Sequence, residues 1–113
     1  MSVAAEYAAL FDVAGRRVTL ERYVDGAPVR VPNVRARVQG GSTDPIEVSA
    51  GNTSAERKVL ILAADVPETF RPLRQSDDVL MDNLRLTFIA RPDDQTHRDG
   101  AVLLAYDGVA VGS

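Results

Sequence analysis

The stretch DDVLMDNLRLTFIA, residues 77–90, decides how this chain folds. It contains a short apolar run at 79–81, a turn at Asp82–Asn83, and then apolar residues that alternate with mostly polar ones. These apolar residues are Leu84, Leu86, Phe88 and Ala90. Because successive side chains of a strand point to opposite faces, this period of two places them on one face of a sheet. The stretch therefore predicts a short strand, a turn and a second, half-buried strand.

The same alternation occurs earlier in the chain. Residues 17–24 alternate, with Val18, Leu20 and Val24 on one face. They lead into Asp25-Gly26, a pair that tolerates positive φ and is typical of hairpin turns. The return strand changes parity at Pro32-Asn33, which predicts a bulge or a bend that curls the sheet.

Other segments complete the outline. Helical spacing over 3–14 predicts an amphipathic helix that ends at Gly15 and packs as a lid over one open end or edge of the sheet. The continuous apolar run at 59–62 predicts a central strand covered on both faces. Residues 40–57 are rich in Gly, Ser and Thr and predict a long mobile loop with a short strand near 46–48, which either has a function or is simply a long hairpin connection. Residues 92–100 predict a second polar loop, and a last strand begins at 101 and extends to 106 or further.

These elements predict one domain over residues 1–113. We expect a mainly β fold, a small antiparallel β-barrel or sandwich with one N-terminal helix. The aromatic share is 5% with no Trp, so we expect a core made chiefly of Val, Leu, Ile and Ala, with Phe11 and Phe88 in it.

Composition narrows the function classes. The net charge is −3, which argues against a dedicated nucleic-acid binder. Residues 1–38 carry a net charge of +2 and residues 39–113 one of −5. This asymmetry either suits head-to-tail contacts between copies or reflects a random scatter of surface charge.

With no Cys, disulfides and thiolate metal sites are excluded. The start has no signal-peptide pattern and no run has the length of a membrane span, so we expect a cytoplasmic origin.

Candidate chemistry is sparse. His97, the single histidine, lies among Asp93, Asp94 and Asp99, where it could bind a metal or exchange protons, or simply be solvated. The doublets Asp77-Asp78 and Asp93-Asp94 point their side chains in opposite directions on an extended chain, and turn formation is the better interpretation. The sequence therefore predicts no enzyme, no cofactor and no metal site.

One basic cluster is present. Arg30, Arg35 and Arg37 lie close together in the chain with no interleaved aromatic residues. They could face DNA that passes through a channel, or form a solvated face of the sheet.

The element order resembles that of small head-completion proteins of long-tailed bacteriophages, prophages and gene transfer agents. These are the head-tail joining, connector or stopper subunits of the virion neck. The resemblance covers most of the chain and is one of pattern. It is carried by the helix with Phe11 and by the segments 17–22, 34–38, 58–62 and 78–89.

The resemblance implies structural work in a virion neck. Copies would form a ring between a portal or adaptor ring and the tail terminator, and would close the DNA channel. The loop at 40–57 would become ordered on assembly. The interaction candidates are residues of that loop, of the basic cluster and of the His97 segment: Arg35, Arg37, Gly41, Thr43, Asn52, Thr53, His97 and Asp99.

Other functions stay open. The same pattern fits a tail terminator or another neck subunit. A small barrel that binds a ligand or a nucleic acid is a further alternative, and such barrels bind on an open, aromatic-rich sheet face. We expect no membrane partner and no small-molecule substrate.

Overall fold

The computed structural model describes residues 3–39, 56–81 and 84–112, in which one helix precedes seven strands. The bounds are α1 (Val3–Ala14), β1 (Arg16–Val24), β2 (Ala27–Gln39), β3 (Glu56–Leu62), β4 (Asp78–Met81), β5 (Leu84–Phe88), β6 (Asp93–Asp99) and β7 (Val102–Gly112). Two short 3₁₀ helices, Ala63–Asp65 and Glu68–Phe70, lie in the segment between β3 and β4.

Six of the described strands close into an antiparallel barrel. The order is β2-β1-β4-β5-β7-β3, and β3 pairs with both β7 and β2, so this circuit has no free edge. The seventh described strand, β6, pairs with the first half of β7 and extends the sheet outside the circuit. The predicted fold class, a small β-barrel with one helix, is confirmed, and of the two predicted architectures the barrel is the one observed.

The β1–β2 hairpin forms as the sequence predicts. Asp25 and Gly26 have φ of 53° and 81°, and Val24 pairs with Ala27 across the turn. Further along the hairpin the register shifts, so that residues 32–33 on β2 oppose a single residue, Thr19, on β1. This β-bulge is the predicted irregularity, and it increases the local twist as the sheet curls.

The barrel interior is filled by side chains. Among the described residues it is made chiefly of valine, leucine and alanine with one isoleucine, as predicted, and Phe88 is buried among them. Phe70 and Leu73 come from the irregular segment between β3 and β4, and Tyr106 comes from β7, so this core also contains aromatic rings that the sequence did not identify.

Helix α1 lies on the outside of the barrel. Phe11 is its buried residue and contacts a small cluster with Leu62 and Ala105, while the rest of the predicted apolar stripe is half-buried or exposed. The helix end fits closely against β2, since a Cβ on Gly15 would lie 2.7 Å from the carbonyl oxygen of Ala36. The prediction of a lid over an open end or edge is wrong. The helix covers the outer face of β3, which is buried on both sides as predicted.

Two predicted loops need correction. Residues 92–100 are not a loop, because Asp93–Asp99 forms β6 and bonds to the backbone of β7. Its side chains are mostly exposed on both faces, so no apolar alternation marks it as a strand. Residues 56–57 belong to β3 and not to the long loop. The rest of that loop, with its expected short strand, and the Asp82–Asn83 turn lie outside the described residues.

Candidate functional site

Of the predicted interaction residues, Arg35 is held in an ion-pair network. Its Nε donates to Asp65 Oδ2 at 2.9 Å and its Nη2 donates to Asp65 Oδ1 at 3.0 Å, while Nη1 reaches Asp12 Oδ1 at 3.2 Å. These bonds with Arg35 lower the pKa of Asp65 and raise that of Arg35. Arg35 therefore ties α1, β2 and the first 3₁₀ helix together. Arg37 is exposed and lines a small apolar cavity beneath α1.

His97 connects α1 to β7. Its Nε2 lies 3.3 Å from Asp107 Oδ2, and its Nδ1 lies 3.2 Å from the hydroxyl of Tyr7. The Tyr7 and His97 rings meet edge to face, with centroids 6.2 Å apart, and Lys58 Nζ is 3.8 Å from Asp107 Oδ2. The arrangement is suited to holding the helix against the barrel wall. Asp99, at the end of β6, is exposed and pairs with Val102.

A charged row crosses the outer face of four strands. Glu21 is opposite both Arg30 on β2 and Asp78 on β4, and Asp78 is opposite Thr87 on β5. Arg85 donates to Glu21 Oε1 at 2.5 Å and also bonds Asp78, while Arg30 donates to Glu21 Oε2 at 2.7 Å. The hydrogen bond from Arg85, followed by that from Arg30, holds the pKa of Glu21 below its ordinary value. The sequence places Glu21 on a polar face but gives no sign that it is buried.

A second buried pair joins β1 to the segment that precedes β4. Arg22 donates from Nε to Asp77 Oδ1 at 2.8 Å and from Nη2 to Asp77 Oδ2 at 2.7 Å. The same Nη2 donates to the carbonyl oxygens of Phe70 and Pro72 at 3.1 and 3.0 Å, and the guanidinium lies 4.1 Å from the centroid of the Phe70 ring. Asp77 also accepts the backbone N–H of Arg74 at 2.8 Å. Asp77 therefore makes the turn that was predicted, and in addition it fixes the segment that ends at β4.

The two aspartate doublets do not form carboxylate dyads. Asp77 bonds Arg22, whereas Asp78 bonds Arg85 and Thr87 on the other side of the chain. Asp93 accepts from Thr96 and from the backbone of Gln95, and these bonds lower its pKa. The pKa of Asp94 is lowered chiefly by the side chain of Gln95. Each carboxylate thus has partners of its own.

An apolar groove of about 590 Å³ lies beside α1. Helix α1 forms one wall, the segment 64–72 another, and β6 and β7 the rest. Tyr7, Val102, Leu103 and Tyr106 are among the lining residues, and burial raises the pKa of the Tyr106 hydroxyl. In the described part of the chain, the charged residues that line the groove are Arg71, Arg98 and Asp94.

The end of the β1–β2 hairpin, residues 23–29, is a second exposed apolar surface, named here the hairpin arm. Tyr23, Val24 and Val29 are 63%, 45% and 41% exposed. The β4 pairing with β1 involves Thr19–Glu21, and the β3 pairing with β2 begins at Ala36. In the part of the chain that the structure describes, the arm therefore projects as a two-stranded ribbon with no third strand beside it.

The remaining candidates, Gly41, Thr43, Asn52 and Thr53, lie outside the described residues. Among the residues that are described, no group of three His, Asp or Glu side chains is placed to hold a metal ion. Within the same ranges, no helix has the length and apolar content of a membrane span. No family model, no curated protein and no solved structure matches this chain.

Proposed function

We propose that this chain is a structural subunit of a virion neck, in which copies form a ring that joins head to tail and closes the DNA channel. The element order on which the resemblance rests supports the proposal: an N-terminal helix, a hairpin, a long connection and closing strands. The neighbours would be a portal or adaptor ring on one side and the tail terminator on the other. A tail terminator or another neck subunit is the nearest variant of this role.

The observation that carries the proposal is where the charged and the apolar side chains of the described residues lie. The most buried ionic groups pair with one another and fix the fold, as in Arg22–Asp77 and Arg85–Glu21. Exposed apolar side chains instead cluster on the hairpin arm and along α1. Apolar surface that is left exposed on a small domain favours contacts with other proteins. A subunit built in this way would act by fitting against neighbouring proteins and binding to them.

A ligand-binding module is the second candidate, and the groove favours it because binding sites are typically concave and mostly apolar. Binding of a single-stranded nucleic acid has less support. Of the six aromatic side chains of the chain, Tyr23 is exposed and Tyr7 is half-buried, and Phe11, Phe70, Phe88 and Tyr106 are buried. Base stacking needs exposed rings along a basic face.

Electron microscopy of the purified chain, alone and mixed with heads that have packaged DNA but lack this protein, tests the proposal. We expect density for rings of this barrel at the portal vertex, and retention of DNA by the heads. Heads that keep their DNA and accept tails without the chain would contradict the proposal. In parallel, saturable binding of single-stranded DNA at moderate salt would favour the binding module.

A further inference from the structure

The hairpin arm is apolar on both faces. Antiparallel pairing places Val24, Ala27 and Val29 on one face of the ribbon, and Tyr23 and Pro28 on the other. A ribbon of this kind is poorly matched to a flat partner, which would cover one face and leave the other in water. It suits insertion between two walls, with Tyr23 as an aromatic anchor of the type that dominates interface energies.

The groove offers walls of this kind. It is bounded by α1 on one side and by β6 and β7 on another, and it is lined largely by apolar residues such as Val102 and Leu103. Val102 is 56% exposed, so this lining is accessible to a partner.

The arm and the groove belong to different sides of one molecule. The arm extends β1 and β2, whereas the groove lies on β6 and β7. In the circuit of the barrel, β4 and β5 separate β1 from β7 in one direction, and β2 and β3 separate them in the other. An interface between two different patches is heterologous, and repeated head-to-tail contacts of this type close into rings when the rotation per copy allows it.

The charges of the two surfaces are complementary. Residues 23–29 contain one acid, Asp25, at the tip and no basic residue. Among the described residues that line the groove, two guanidinium groups, those of Arg71 and Arg98, stand against one carboxylate, that of Asp94. That carboxylate is already engaged by Gln95 and by the opposite charge of Arg91, whereas the two guanidinium groups donate to neutral backbone carbonyl oxygens. The charge of the arm thus favours the groove as its partner surface.

We propose that the hairpin arm of one copy inserts into the groove of a second copy of this chain. The inference rests on the proposed ring, for which it names the two contacting surfaces. Residues 23–29 are the surface that inserts, and the Val102 side of the groove is the surface that receives them.

Two matched substitutions test the contact. Val24→Asn alters the arm, and Val102→Asn alters the groove. The control is Ile89→Asn at a side chain that is 42% exposed, similar to Val24, and that lines neither surface. Because an amide placed in a contact between apolar side chains loses its hydrogen bonds to water, each test variant should weaken self-association by about tenfold or more. Sedimentation and native mass spectrometry of the full chain at several concentrations measure the change, and equal urea midpoints confirm that all variants fold.

The decisive step is to mix the two test variants. Each has one intact surface, so a head-to-tail contact predicts a 1:1 heterodimer that grows no further. Asp25→Asn keeps the turn, because Asn also tolerates positive φ, and should weaken association at low salt more than at high salt. A wild-type chain that stays monomeric, a control that dissociates, or a mixture that stays monomeric would each overturn the inference.

Failure of this inference differs from failure of the proposed function. If the chain associates through these surfaces but is absent from virion necks, the inference holds and the neck function is wrong. If both test variants enter necks and complete particles normally, the neck function holds and the inference is wrong.

Discussion

Replacing Arg22 with methionine tests how the segment between β3 and β4 is held against β1. The change retains most of the aliphatic side chain but removes both hydrogen bonds to Asp77 and the bonds to the carbonyl oxygens of Phe70 and Pro72. The Asp77 side chain is 3% exposed and that of Arg22 is 10% exposed, so the remaining carboxylate stays away from water. Its remaining hydrogen bond is the one from the Arg74 backbone N–H.

The expected cost is that of a buried charge that has lost its partner, about 3–5 kcal/mol of unfolding free energy. That is a large fraction of the total stability of about 5–15 kcal/mol that is usual for a domain. The matched control is Arg91→Met, which breaks a pair with Asp94 at 3.3 Å in which Arg91 is 65% exposed. An exposed pair contributes about 0–1 kcal/mol.

Urea denaturation followed by circular dichroism gives the unfolding free energies of both variants. The double variant Arg22→Met/Asp77→Asn should recover part of the loss, because the unpaired buried charge is gone while the side-chain oxygen can still accept the Arg74 N–H. The reasoning would be refuted if Arg22→Met cost no more than Arg91→Met, or if the double variant were less stable than Arg22→Met alone.

Three further predictions concern the helix, the response to acid and the long connection. Phe11→Ala removes the buried contact of α1 and should abolish amide exchange protection in 3–14 while the barrel strands keep theirs; equal loss in both would contradict a separately anchored helix. Glu21 and Asp65 have lowered pKa values when folded, so their stabilisation is complete above the ordinary values of 4.5 and 3.8 and is lost as pH falls through the folded values. The urea midpoint should therefore be flat from pH 7 to about 5 and fall below about 4.5, less steeply in Glu21→Gln; a midpoint unchanged down to pH 3 would be evidence against these pairs. Deletion of 41–52 should leave a folded barrel, because Gln39 and Lys58 pair across the ends of that connection, but should abolish infectious particles; normal titres would count against a role for it.

The parts of the fold that depend on local sequence patterns could be predicted from the sequence. The Asp25–Gly26 pair favours one backbone conformation, that of a tight hairpin turn, and the alternation of 84–88 determines which side chains enter the core. The strand β6 was missed because its side chains are mostly exposed and both of its faces are polar. Its formation depends on hydrogen bonds to β7, which leave no periodic signal in the residues themselves.

The ionic contacts could not be predicted from the sequence for a similar reason. Glu21 and Arg85 lie on strands separated by β4, and no spacing rule brings them together before the barrel is closed. Arg35 was predicted as an interaction residue because it lies in a basic cluster, yet Asp65 and Asp12 engage it within the molecule. The groove is likewise assembled from α1, the segment 64–72 and the last two strands, whose proximity depends on the complete topology.

In the function that we propose, this barrel is a shaped subunit of a ring in a virion neck. An electron microscopy reconstruction of the neck of particles that contain the chain tests it most directly. We expect a ring of barrels between portal and tail, with the hairpin arm of each copy directed at the β6–β7 side of the next. A well-resolved neck into which this barrel does not fit at any position would contradict the claim.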